Sequence, residues 1–254
     1  MIIDTHSHIY LPEFGEDRDA MLIRAGSEGI RLILMPAIDN ETHLTMLEIE
    51  ALYRGKCLSM MGLHPCSVKE GYKQELRMIE EYFERRRFVA VGETGLDFYW
   101  DRTFTREQYD SFQTQIELAK QYGIPVVIHS RNSIDECIKV IKENQQGNLK
   151  GVFHCFSGNE KQAKEIIDLG FYLGIGGVVT FKNSGLDKVM KDVDMKHVVL
   201  ETDAPYLAPV PFRGKRNECS YLKYVVEKLS EIKDISKEEI EKITTVNAKE
   251  LFSI

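Results

Sequence analysis

Two histidines one residue apart sit near the start of the chain: His6 and His8 flank Ser7 in IIDTHSHIY. In extended backbone, positions i and i+2 face the same way, so both imidazoles project to one side. Two more histidines and two carboxylates each close a short apolar run. Glu93 ends FVAVGE, His129 ends IPVVIH, His154 ends GVFH and Asp203 ends VVLETD. Taken singly, a strand-end histidine is more often a hydrogen-bonded structural residue than a ligand. Taken together, four imidazoles and two carboxylates converging on one apolar cavity carry a heavy desolvation penalty that a cation removes. Mixed imidazole–carboxylate ligation suits Zn²⁺, Mn²⁺ or Fe²⁺, whereas Mg²⁺ prefers more oxygen. Six donors exceed what one tetrahedral ion uses, so two divalent ions sharing a bridging carboxylate are the expected arrangement.

The other histidines separate from this group. His64, in GLHP, ends another apolar run, where it either contacts substrate or a bound water, or caps backbone. His43, at a helix start, and His197, before the last run, read as surface or structural residues. Cations gather near the same run ends: Arg131 follows His129 closely, Lys182 lies in GGVVTFKN, and Arg213, Lys215 and Arg216 follow Asp203 in APYLAPVPFRGKRNE. Placed over a metal site they would bind an anionic substrate, and guanidinium matches phosphate geometry. Phe98, Tyr99, Trp100, Phe156, Tyr206 and Phe212 share these segments, as loop packing or as faces on which bases stack.

Eight apolar runs must position these groups: Ile2–His6, Leu32–Pro36, Leu58–His64, Phe88–Glu93, Ile124–His129, Gly151–His154, Phe171–Ile175 and Val198–Asp203. They lack strict polar alternation, as strands buried on both faces do in a helix-covered parallel sheet. Helical patterns separate them. Arg106–Tyr122 sets Tyr109, Phe112, Ile116 and Ala119 on one stripe and is stopped by Gly123. Ser133–Gln146, Glu160–Leu169 and Tyr221–Ile232 behave similarly, and Ser236 with Glu239 forms a capping box for a last helix running toward Lys249. Eight strand–helix pairs in 254 residues predict a TIM (β/α)8 barrel, one domain spanning 1–254. The competing architecture is a doubly wound open sheet. In a barrel, all the ligand-bearing strand ends meet at the C-terminal face.

Composition narrows the function classes. A net charge of −7, from 33 basic and 40 acidic residues, excludes a protein that coats nucleic acid over its whole surface. Five cysteines without a CxxC pair predict reduced thiols in the cytoplasm, and no run reaches the ~18 apolar residues of a membrane span.

The motifs DTHSH, GLHP, GETGLDFY, PVVIHSR, HCFSG, GGVVTFKN, ETDAPYL and RGKRNE, in that order from residue 4 to residue 218, resemble the TatD family of metal-dependent deoxyribonucleases, amidohydrolase-like TIM barrels. That resemblance implies two divalent ions, Zn²⁺, Mn²⁺ or Mg²⁺. His6, His8 and Asp203 would hold the first, His129 and His154 the second, and Glu93 would bridge them. It further implies Asp203 as the base toward the attacking water, and 3′-to-5′ exonuclease action on single-stranded DNA by a chain assumed monomeric. His64, Arg131, Lys182, Arg213, Lys215 and Arg216 are the expected substrate contacts. Cys219, where the family usually has proline, and Thr94, where an aliphatic residue is common, depart from the pattern without touching a ligand. Two rival readings remain at this point: hydrolysis of a C–N or carboxylic ester bond, and a non-catalytic metal-binding barrel.

Overall fold

The computed structural model describes residues 1–254. Eight strands form: β1 (Ile2–Asp4), β2 (Ile30–Met35), β3 (Cys57–Ser59), β4 (Val91–Asp97), β5 (Val126–Arg131), β6 (Gly151–Phe153), β7 (Tyr172–Ile175) and β8 (Val198–Leu200). Helices α1 (Arg18–Ser27), α2 (Asn40–Leu52), α3 (Tyr72–Arg85), α4 (Thr105–Tyr122), α5 (Ile134–Asn144), α6 (Glu160–Asp168), α7 (Leu186–Asp192) and α8 (Leu222–Lys233) follow the strands in turn, and α9 (Lys237–Phe252) ends the chain. All strand pairs are parallel and sequential, in a three-stranded arc β1-β2-β3 and a five-stranded arc β4 to β8. An open doubly wound sheet would reverse its strand order at a switch point, and none occurs here.

The ladders break at two seams, which individual backbone hydrogen bonds span. Gly92 donates to Met61 at 3.0 Å across the first. At the second, Thr5 donates to Leu200 at 2.9 Å, Asp203 to His6 at 2.9 Å and His8 to Ala204 at 2.7 Å. The second seam therefore sets two predicted ligand segments side by side. The architecture is the TIM barrel expected from the runs.

The barrel interior is a separate apolar cluster drawn from successive strand segments: Ile3, Leu34, Met60, Ala90, Val127, Val152 and Val199. Ala248, Leu251 and Phe252 of α9 join it and close the N-terminal end. A larger cluster of 57 buried residues lies between strands and helices. The α3 stripe Tyr72, Leu76, Ile79 and Phe83, spaced four, three and four apart, shows how each helix seats one face there.

Candidate metal centre

Most predicted strand ends lie one to five residues inside loops. β1, β3, β6 and β8 are shorter than their apolar runs, because backbone pairing stops where the chain begins to curve over the C-terminal face. Glu93 and His129 are exceptions. β5 runs two residues past His129 to Arg131, and β4 runs on from Glu93 through Thr94, Gly95 and Leu96 to Asp97, buried throughout. Gly95 permits this, since its φ of +133° suits glycine and a Cβ there would strike the His129 backbone. The extension brings in a second carboxylate, Asp97, absent from the sequence-derived ligand set.

Glu93 is the hub, and its two oxygens face different groups. Oε2 lies 3.1 Å from His6 Nε2 and 3.7 Å from His8 Nε2. Oε1 lies 2.8 Å from His129 Nδ1, 2.8 Å from His154 Nε2 and 3.4 Å from His64 Nε2. Asp203 Oδ1 completes the first group, 3.7 Å from His6 Nε2 and 3.5 Å from His8 Nε2. All six predicted ligands therefore meet, and His64 stands with His129 and Glu93 as a third compact set of donors. Asp203 itself takes a left-handed φ of +56°, and Cys155, directly after His154, one of +47°. Such backbone concentrates where side-chain aim matters more than local stability.

A ring of further residues aims these donors. Tyr10 gives its hydroxyl proton to the Pro36 carbonyl at 2.7 Å, so its oxygen accepts Nδ1–H from His8 at 3.0 Å. That fixes the tautomer and leaves His8 Nε2 as a lone pair facing the cluster. Asp97 holds His129 Nε2 at 2.8 Å, which leaves Nδ1 toward Glu93. Glu201 faces His154 Nδ1 at 3.4 Å and accepts the Cys155 N–H. Gly174 makes room for that carboxylate, since a Cβ there would collide with Glu201 Oε2. Asp4 accepts the Thr202 hydroxyl at 2.6 Å and its N–H at 2.9 Å, tying the His6 segment to the Asp203 segment. Buried glutamines on α4 do similar work: Gln108 accepts the Asp97 N–H at 2.9 Å, and Gln115 pairs with both backbone groups of Leu63, beside His64.

Burial disfavours charge on every one of these groups, so the ionisation pattern shows which interactions prevail. Glu93 is held well below the ordinary carboxylate value despite its burial, because His154, His64, His6 and His129 surround it. Asp203 is likewise lowered against burial, chiefly by His8 and the neighbouring imidazoles. His154 is raised by Glu93 and Glu201, and His129 by Asp97 and Glu93, each against burial. His6 and His64 move the other way, with desolvation dominant. His6 is fully buried with neither ring nitrogen hydrogen-bonded, a costly state for imidazole unless a cation takes one lone pair. The donor set of imidazoles and carboxylates fits divalent cations of the Zn²⁺ or Mn²⁺ type.

The remaining expectations divide. Arg213 lies with its guanidinium 3.7 Å above the Phe181 ring, and with Lys182, Ser157 and Ser184 it lines a cavity of about 510 Å³ on the loops after β6, β7 and β8. Lys215 is exposed and forms no ion pair. Arg131 packs over Tyr99 at 3.9 Å. Arg216 is different: its guanidinium is bound by Asp17 at 2.7 and 2.8 Å and by the Glu13 carbonyl, so its fork is already occupied. His43 is structural and buried, its Nε2 3.3 Å from the Gly62 carbonyl. Cys219 is closer to the centre than its place in the sequence suggests, with Sγ 3.4 Å from the hydroxyl of Ser7, between His6 and His8. No helix is long and apolar enough to cross a membrane.

Comparison with known proteins gives the chain's relatives among metal-dependent hydrolases. The chain is 38% identical over 255 residues to YabD of Bacillus subtilis (strain 168), an uncharacterized metal-dependent hydrolase, with all of both chains covered. It is 31% identical to the metal-dependent hydrolase YcfH of Escherichia coli (strain K12), covering 100% of this chain and 96% of that one. Its structure superposes on the crystal structure of YjjV, a TatD homolog from E. coli K12, with a TM-score of 0.94, 32% identity and coverage of 100% and 98%. For a TatD family hydrolase of Entamoeba histolytica the TM-score is 0.85 at 26% identity, with 98% and 97% covered. The profile described as TatD related DNase matches residues 3–253, and the chain belongs to that family of metal-dependent hydrolases.

Proposed function

We propose that the protein is a two-metal phosphodiesterase, a deoxyribonuclease removing nucleotides from the 3′ end of single-stranded DNA. The observation that carries this reading is the division of Glu93, whose Oε2 faces the His6–His8–Asp203 group while Oε1 faces the His129–His154 group. A carboxylate shared in this way is the bridge a paired-cation site needs. His6, His8 and Asp203 would hold one Zn²⁺, Mn²⁺ or Mg²⁺, His129 and His154 the other, and His64 stands beside the second set to contact substrate or its water. Such ions supply Lewis acidity, polarising a phosphoryl oxygen and making water acidic near neutral pH.

The chain's own residues supply the rest. Asp203 is kept ionised by His8 and its neighbours, so it is ready to take a proton from the attacking water. Asp97, Tyr10 and Glu201 hold three imidazoles in ligating orientation before any ion arrives. Arg213, Lys182 and Lys215 offset phosphate charge, together with Arg131 at the end of β5. The cluster is complete within one chain, so the proposed working unit is the monomer, and its five unpaired thiols suit the cytoplasm.

The test uses end-labelled single-stranded oligonucleotide with chelated enzyme and with enzyme given Mg²⁺, Mn²⁺ or Zn²⁺, and Asp203→Ala as control. Stepwise shortening from the 3′ end, restored by metal and lost in the variant, supports the reading. Metal uptake without cleavage, together with turnover of a cyclic amide, would replace it with amidohydrolase chemistry.

A further inference from the structure

Ten large apolar side chains are exposed, and five of them, Tyr99, Trp100, Tyr206, Leu207 and Val210, lie on the loops after β4 and β8. These loops continue the segments that carry Glu93 and Asp203, so exposed apolar surface concentrates where the metal centre opens. Trp100 is the most solvated of the five at 67%, and Tyr99 is 52% exposed. Their rings meet edge to face with centroids 4.9 Å apart. Single exposed apolar residues are ordinary, whereas exposed apolar residues gathered in one place mark ligand-binding grooves.

The pair is also held in place. Asp97 Oδ1 accepts the backbone N–H of Tyr99 at 2.9 Å and of Trp100 at 3.0 Å, while Oδ2 of the same carboxylate holds His129. One side chain therefore sets both the second metal group and the aromatic turn. Arg131, two residues after His129, lays its guanidinium 3.9 Å over Tyr99 and 5.3 Å from the Trp100 ring centre. Phe98 completes the tie, its N–H donating to the Arg131 carbonyl at 3.0 Å. The result is a preset aromatic shelf with a cation on its flank, within one carboxylate of His129.

We infer that Trp100, backed by Tyr99 and Arg131, is a stacking subsite for an unpaired nucleobase of the strand whose phosphate lies at the metal centre. This rests on the reading of the mouth as a nucleic-acid site. An indole face accepts any base, so the subsite grips without reading sequence, and it requires the base to be free of a complementary strand. Arg131 favours a ligand that carries phosphate beside its base over a neutral aromatic one. Single-strand preference then has a physical source in this loop, since paired bases already spend their faces on one another.

Trp100 is the protein's only tryptophan, so its emission reports the shelf directly. The Zn²⁺-loaded full chain is titrated with a deoxyribonucleotide hexamer whose phosphorothioate linkages resist hydrolysis, and with the matching abasic hexamer. The expected result is saturable quenching by the first, with the abasic strand bound about tenfold more weakly and emission unchanged. Anisotropy of a labelled hexamer follows the variants: Trp100→Phe binds within about twofold of the parent and Trp100→Ala about tenfold more weakly, while both bind Zn²⁺ at the parent stoichiometry. Equal affinity for abasic and base-bearing strands, or undiminished binding by Trp100→Ala, overturns the subsite. Quenching by the hexamer without cleavage of an ordinary oligonucleotide removes the nuclease reading and leaves the subsite. Cleavage with equal kcat/KM on both kinds of strand does the reverse.

Discussion

Asp97 Oδ2 and His129 Nε2 lie 2.8 Å apart, and the other imidazole nitrogen of His129 faces Glu93 at the same distance. A carboxylate behind a ligating histidine fixes its ring and raises its basicity. Asp97→Asn keeps the shape and removes the charge, so metal affinity should fall about 10- to 100-fold with the fold intact. Competition with a chelating dye measures this, and an unchanged affinity would mean that His129 is not a ligand.

Removing the hub should be more severe than removing any one spoke. Glu93→Gln leaves His6, His129 and His154 without the carboxylate that faces all three. The expected outcome is no more than one tightly bound ion per chain and at least a thousandfold loss of metal-dependent turnover, on the order of what losing an electrostatic anchor costs a catalytic site. Elemental analysis after gel filtration gives the stoichiometry; two retained ions would disprove the bridge.

The pH dependence of stability should differ between metal-free and loaded protein. Without metal, His154 and His129 are held above the ordinary 6.5 by neighbouring carboxylates that outweigh burial, so their stabilisation is complete below 6.5 and lost as pH rises through the folded values. Glu93, ordinarily 4.5, and Asp203, ordinarily 3.8, are held low, so theirs is present above those values and lost as pH falls through the lowered ones. The His154 and His129 contribution to metal-free stability should therefore fall from pH 6 to pH 8. Against it stands the opposite and smaller contribution of His6 and His64, whose lowered values favour higher pH. Cations need deprotonated imidazole, so the rise in Tm caused by Zn²⁺ should grow over the same interval. Calorimetry at both pH values checks this, and a Zn²⁺ effect that shrinks with pH would contradict it.

Two arginines three residues apart should behave differently. Arg213→Glu is expected to raise KM for an oligonucleotide several-fold, since Arg213 lines, with Lys182, the cavity on the loops after β6, β7 and β8. Arg216→Ala should cost up to about 1 kcal/mol of stability instead, because its partner is Asp17 at the start of α1. Steady-state kinetics and denaturant melts on both variants separate the roles, and exchanged phenotypes would refute them.

Thr94 has a fully buried hydroxyl without a hydrogen-bond partner. Thr94→Val should raise stability by about 1 kcal/mol, the cost of burying an unsatisfied polar group. Chemical denaturation gives the value, and a destabilised variant would show that the hydroxyl has a partner in solution.

The barrel and the six converging donors were legible because each ligand closes an apolar run, and closing a run in a parallel barrel means facing one end of it. Asp97 and Glu201 were not, since each acts on a partner far along the chain. Nor was Tyr10: only two residues from His8, it aims its hydroxyl through the Pro36 carbonyl 26 positions away. Asp97 meets His129 across 32 positions, and Glu201 stands beside two better-placed acidic or polar neighbours in ETD. Arg216 read as a free cation for the same reason: its partner, Asp17, is 199 positions away. Glu93 was displaced from its expected strand end by one glycine, whose freedom of φ keeps the strand going.

The C-terminal helix has a consequence for traffic. Ala248, Leu251 and Phe252 stopper the barrel's far end, and the interior above them is solid hydrocarbon. The centre is thus a cul-de-sac. Whatever is released must retreat along the path by which the next substrate arrives, and spent product and fresh strand compete for a single doorway.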